Sequence, residues 1–208
     1  DETGDPDGKM VWETAQHLQL QAPWIGWTLE RMIKEGLTGA HVVAFVRTCP
    51  LFGEDRIPLI RQGVVAHFLG DYVQAIHILV PQVERALVNL PPLAGRPSNK
   101  GHRTGRGVMQ FKNLNDLLAK DEWPIQGEVG ENLRMYLLTA LAHPKGINLR
   151  NDVCHGLWSA EHFTEAASER VLHVLLTVAM IRAEKKSEGD TEHSDAGPPE
   201  PWPDAPAE

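Results

Sequence analysis

The chain has 208 residues, of which 42% are hydrophobic, 23% charged and 6% aromatic, with a formal net charge of −8. That length suits one main domain with appendages, and the composition excludes wholesale disorder, a collagenous repeat and any need for a disulfide framework. The charge excludes less than it suggests. Five acids against Lys9 fall within residues 1–13 and eight acids against Lys185 and Lys186 within residues 184–208, so the body between them is slightly basic and a nucleic-acid partner stays open.

Residues 1–13 read as an acidic, disordered N-terminus with no leader-like character. Because the sequence opens at Asp1, it reads as a processed form or fragment of a longer parent chain with further N-terminal domains. From Trp24 to Ile33 apolar residues recur at helical spacing, and Gly36 closes that helix; a second runs from Thr38 to before Pro50. Residues 14–56 thus form N-terminal helices packing on a bundle. Pro58, in a first-turn position, opens a helix that reaches Gly70, and Asp71 caps a long segment running to Leu90. Pro81 lies inside that segment and predicts one long kinked helix, which the diproline at 91–92 ends.

Residues 94–107 contain four glycines and the bases Arg96, Lys100, Arg103 and Arg106 without an acid. Such a loop either tracks several phosphates of a nucleic acid or is a solvated basic loop. A short apolar stretch, a short helix from Asn113 and a longer one from Gly127 to His143 follow, then the turn His143-Pro144-Lys145-Gly146. Asn148 reads as the N-cap of a short helix, and the last helix runs from about Thr164 to Lys185. Beyond it, residues 185–208 form an acidic, proline-rich, disordered tail. The fold class is all-α: a bundle of six to eight helices, with residues 57–184 as its main domain. The longest apolar run, 171–181, is too short to span a bilayer, and two cysteines 105 positions apart read as reduced thiols, so the chain is expected to be cytoplasmic.

No phosphate loop, dinucleotide fingerprint or nucleophile elbow is present. Cys154, His155 and His162 lack the spacing a metal ion needs, so neither metal nor cofactor is expected. What remains is Arg and His at short range, one to neutralise charge on phosphate and one to move a hydroxyl proton. Arg followed by His after four to six residues occurs three times, at Arg61/His67, Arg96/His102 and Arg150/His155. Random placement gives about two such pairs, so context must choose. Arg61 and His67 fall on opposite faces of an apolar helix, and Arg96 and His102 lie in a flexible loop. Arg150 opens a helix in which Asn151 and His155, four apart, share a face, beside Gly156. That glycine either leaves space at the imidazole or simply ends the helix.

The string Leu149-Arg150-Asn151-Asp152-Val153-Cys154-His155-Gly156 resembles the Arg-Asn-x-x-x-His signature of the HEPN superfamily (higher eukaryote and prokaryote nucleotide-binding domains), in particular a poorly characterised bacterial branch that adds the glycine. The stretch from Gly70 to Leu87, with its Pro-Gln-Val-Glu turn, is similar to the central helix of that branch, and the resemblance covers about residues 57–183. It implies an all-α homodimer with the two Arg/His motifs in a shared cleft and, in active members, a metal-independent endoribonuclease. Carried onto this chain, His155 assists attack of a ribose 2′-OH on the adjacent phosphate, Arg150 stabilises the charged phosphorane and Asn151 orients the pair. The products carry 2′,3′-cyclic phosphate and 5′-OH ends. Glu84 is either a partner of that site or an exposed salt-bridging residue. Two further readings stand beside a toxin or defence effector nuclease: a HEPN-like module that binds RNA or nucleotide, or dimerises, without cutting, and a helical interaction domain.

Overall fold

The computed structural model describes residues 7–97, 99–101 and 109–182. Within them the fold is helical: α1 (Gly8–Leu20), α2 (Ala22–Lys34), α3 (Gly39–Arg47), α4 (Ile57–Phe68), α5 (Tyr72–Leu93), α6 (Leu114–Leu117), α7 (Gly127–Leu141), α8 (Leu149–Cys154) and α9 (Glu165–Ala179). A three-residue antiparallel ribbon, β1 (Asn99–Gly101) with β2 (Met109–Phe111), closes the base of the basic loop, Lys100 facing Gln110. None of the described helices is long and apolar enough to cross a membrane.

The caps explain where the helices begin. The Asp71 carboxylate accepts from the Gln74 amide at 3.0 Å, Asn113 from Asp116 at 2.8 Å and Thr164 from Ala167 at 3.2 Å. α5 runs unbroken past Pro81, as one element, because its apolar residues Ile76, Leu79, Val80, Val83, Leu87 and Leu90 keep helical spacing and are all buried. Each such side chain contributes about 1.5–3 kcal/mol on burial, comparable to or above half the cost of an internal proline. α5 is the central helix and packs on α4, α9, α6 and α8. Its approach to α4 is close: a Cβ at Gly63 would stand 2.6 Å from Leu79 Cδ2.

Three expectations are corrected. Residues 8–13 are the first turns of α1, not a disordered arm, because Val11 and Ala15 bury against the bundle and Asp7 pairs with the fully buried Arg134. That guanidinium uses all five N–H groups: on Asp7 at 3.0 and 3.2 Å, on Glu131 at 3.0 and 2.7 Å, and on the Leu118 carbonyl at 2.9 Å. The diproline does not stop α5 before itself. Pro91 and Pro92 occupy its last turn, where each removes only one donor, and the Ala94, Gly95 and Arg96 amides fold back onto the Leu90, Pro91 and Pro92 carbonyls. The last helix ends at Ala179, short of the expected Lys185; residues 1–6 and the tail from 183 lie outside the described residues. Nine α-helices are described against six to eight expected, the one without a counterpart in the sequence reading being α1.

Candidate functional site

α8 is too short to be stable alone, and its surroundings hold it in place. The turn after α7 brings the chain back with Ile147 N–H on the Thr139 carbonyl at 2.8 Å, an approach made against the bare Cα of Gly146. Asn148 then takes a left-handed conformation (φ 56°), which Asn tolerates better than most residues. Its side chain does not cap the helix backbone as expected. Instead Asn148 Nδ2 donates to Asp152 Oδ1 at 2.7 Å, and its Oδ1 accepts from Asn151 Nδ2 at 2.8 Å.

Asn151 is the centre of this knot. Its Nδ2 also donates to the Ala142 carbonyl at the end of α7 (3.0 Å), and its Oδ1 accepts from Arg150 Nη1 at 2.9 Å. Arg150 in turn grips Glu84 of α5 in a two-pronged pair, Nε to Oε2 at 2.9 Å and Nη2 to Oε1 at 2.8 Å. Both side chains are about three-quarters buried (23% and 22% exposed), and the Glu84 hydrogen bonds hold the Arg150 guanidinium above its usual pKa, against the opposing pull of burial. Arg150 is therefore a fixed, permanently charged group with two N–H donors to spare.

One helical turn on, the His155 amide closes on the Asn151 carbonyl at 2.9 Å while its ring is exposed and bonded to none of the described groups. Gly156 sits at φ 67° and Leu157 N–H bonds the Asp152 carbonyl at 2.8 Å, so this glycine ends α8; the same position is open, with nothing within 4 Å of a Cβ placed there. Partial burial pushes the neighbouring Cys154 thiol up, more than Arg150 pulls it down, which leaves it protonated and a poor nucleophile at neutral pH.

Arg150, Asn151 and Glu84 thus come into direct contact, with His155 one turn away. The basic residues do not join them by any described contact. Arg96 follows the end of α5, while Glu84 lies about 13 Å of helix axis before that end. The Arg96 guanidinium leans toward the carbonyls of Asp121 and Glu122 at 3.5 and 3.4 Å. The Lys100 side chain, Arg103 and Arg106 lie outside the described residues. Among the described residues no group of three or more His, Cys, Asp or Glu could hold a metal ion.

Sequence reasoning missed Asn148 as part of the site and missed a run of rings that ties α5 to the segment after α8: His77, also on α5, stacks on Phe163 (4.8 Å), Phe163 meets Trp158 edge-on (5.3 Å), and Trp158 stacks on His162 (5.9 Å). The spacing of Asn148 and Asn151, three apart across a helix start, was the available signal for the first; nothing local marks the second.

No family model matches the chain, and neither a curated protein nor a solved structure matches it.

Proposed function

We propose that the chain is a HEPN-like, metal-independent endoribonuclease that acts as a homodimer in the cytoplasm on RNA. The observation that carries this reading is the contrast within α8: an arginine clamped by Glu84 and Asn151, and one turn away an exposed imidazole that no described group engages. A positioned cation with donors to spare and an unengaged base are what transesterification at phosphorus needs. His155 takes the proton of the ribose 2′-OH, the oxygen attacks the adjacent phosphorus, and the two spare N–H groups of Arg150 bind the charge that grows on the phosphorane oxygens. The P–O5′ bond then breaks, and the 5′ oxygen takes a proton from the imidazolium of a second His155 across the dimer cleft. Bases of the loop, Arg96, Lys100, Arg103 and Arg106, add sequence-independent attraction to the RNA backbone.

The test is incubation with total RNA and analysis of the ends, with His155→Ala alongside. The expected result is 2′,3′-cyclic phosphate and 5′-OH ends, insensitive to excess chelator and absent with the variant. Cleavage that persists in His155→Ala, or that chelator abolishes, overturns the proposal. One observation favours a second reading, a module that binds RNA without cutting: Glu84 and Asn151 already occupy three of the five Arg150 N–H groups. That reading predicts salt-sensitive RNA binding with no cyclic-phosphate product at any protein concentration.

A further inference from the structure

Away from α8, the surface between α2 and α9 opens into a cavity of about 490 Å³. This lies within the range of sites that take drug-sized molecules. Leu18, Trp24, Leu29, Met32, Leu172 and Leu176 give it apolar walls, and Trp24 stands edge-on to Trp27 at 5.0 Å on the exposed side of α2. Three groups with displaced pKa values share this one cavity, a concentration that marks binding sites more often than plain surface. Burial pushes the Tyr136 phenol up to about 12, pushes His173 down with help from the Arg170 charge, and pushes the Glu169 carboxyl up with help from Glu165.

Their geometry fixes what they offer. Tyr136 Oη lies 2.6 Å from His173 Nδ1. We assign the phenol, which keeps its proton, as the donor to that nitrogen, and this assignment puts the neutral ring's own proton on Nε2, where it presents a donor. The flanking charges are of opposite sign: Glu169 lines the cavity beside Gly26, where a Cβ would stand 2.9 Å from its Oε2, while Arg170 is buried behind the wall with Nη2 on the Leu18 carbonyl at 3.1 Å. An anion meets the Glu169 that lines the cavity, and a cation at the imidazole meets the field of Arg170 that also holds His173 down, so neither is favoured there.

We infer that the α2–α9 cavity binds an uncharged, largely apolar small molecule bearing one carbonyl or hydroxyl oxygen, which accepts a hydrogen bond from His173 Nε2. The inference is independent of the nuclease reading and of α8. Its test uses the uncharged fluorescent ketone Prodan, with naphthalene as the partner that lacks an acceptor, titrated into the full chain. The expected result is saturable binding at one site per chain. Met32→Trp, on the rim, narrows the cavity and weakens both ligands by tenfold or more. Tyr136→Phe releases the imidazole and weakens Prodan about fivefold, the effect of one hydrogen bond, while naphthalene binding is unchanged. Four results overturn the inference: no saturable binding; an equal loss of both ligands in Tyr136→Phe; binding that emerges only after residues 187–208 are deleted, which makes the tail the occupant; or binding that appears only as a dimer dissociates, which makes a second copy the occupant.

Discussion

Replacing Glu84 and Arg150 singly and together, each by Gln, measures how much the clamp across α5 and α8 contributes to stability. At a charge separation of about 4 Å and an effective dielectric constant near 20, the gross attraction is about 4 kcal/mol. Desolvation and the ordering of two long side chains offset more than half of it. The two side chains are 23% and 22% exposed, which places the pair between surface bridges, worth under about 1 kcal/mol, and buried ones, whose breaking costs about 3–5 kcal/mol. A coupling of about 1–2 kcal/mol is therefore expected from urea unfolding of the four proteins. Glu84→Gln alone should lower Tm by about 3–6 °C. Because water reaches the pair only at its edge, raising the salt from 0.05 to 0.5 M should remove less than half of the coupling. A coupling below about 0.3 kcal/mol, within the range of independent sites, would refute the claim that this pair seats α8. On the proposed function, the same Glu84→Gln change should lower kcat in RNA cleavage with little effect on KM, since Arg150 acts on charge present only in the transition state.

Arg134→Met should destabilise by about 3 kcal/mol, measured by denaturant unfolding, because it strips α1 and α7 of a buried cation that uses all five donors; a change under 1 kcal/mol would mean that Asp7 and Glu131 are simply resolvated. Gly156→Ala should cost about 1 kcal/mol through left-handed strain, and Gly156→Asn clearly less, since the space around the Cβ is open; equal losses would point to a steric cause instead. For pH, burial holds His67 below its ordinary 6.5, with Glu165 pulling the other way, so the unfolded chain takes up the proton first. That stability is present above 6.5 and is lost as pH falls below it toward the lowered native value. Thermal melts between pH 7.5 and 5.5 should show a falling Tm, with a shallower slope in His67→Gln; an unchanged slope would assign the effect elsewhere.

Much of the fold was legible because the signals were local. The helix starts at Thr38, Asp71, Asn113 and Thr164 are written in single polar residues before apolar periodicity, and the structure uses each as a start. α1 escaped notice for a tertiary reason. Its acids look like those of a solvated arm until Arg134, 127 residues away, is seen to take Asp7. The end of α5 was misjudged because a proline was treated as a stop, although the helix runs through Pro81 and on through Pro91 and Pro92 to Leu93. At α8 the sequence carried Arg150, Asn151 and His155 on one short string, and Glu84 could be named only through the family resemblance, sixty-six residues upstream. No periodicity links α5 to α8; packing does.

The arrangement at α8 also decides which substitution can separate function from fold. Arg150 and Asn151 each hold the helix down, one on Glu84 and the other on Asn148 and the Ala142 carbonyl, adding polar anchors to the buried Leu149 and Val153 of a helix only six residues long. Loss of activity in Arg150→Ala or Asn151→Ala would follow from either a chemical or a structural role, because both variants remove anchors. His155 differs: its backbone closes the last turn, and its ring is held by no described group. Truncating that ring removes no anchor and should leave Tm within about 1 °C, as expected for an exposed side chain away from caps and core. An activity that disappears in His155→Ala at unchanged Tm can therefore be assigned to the imidazole itself, which makes this residue, more than the better-ordered Arg150, the one on which the ribonuclease proposal stands.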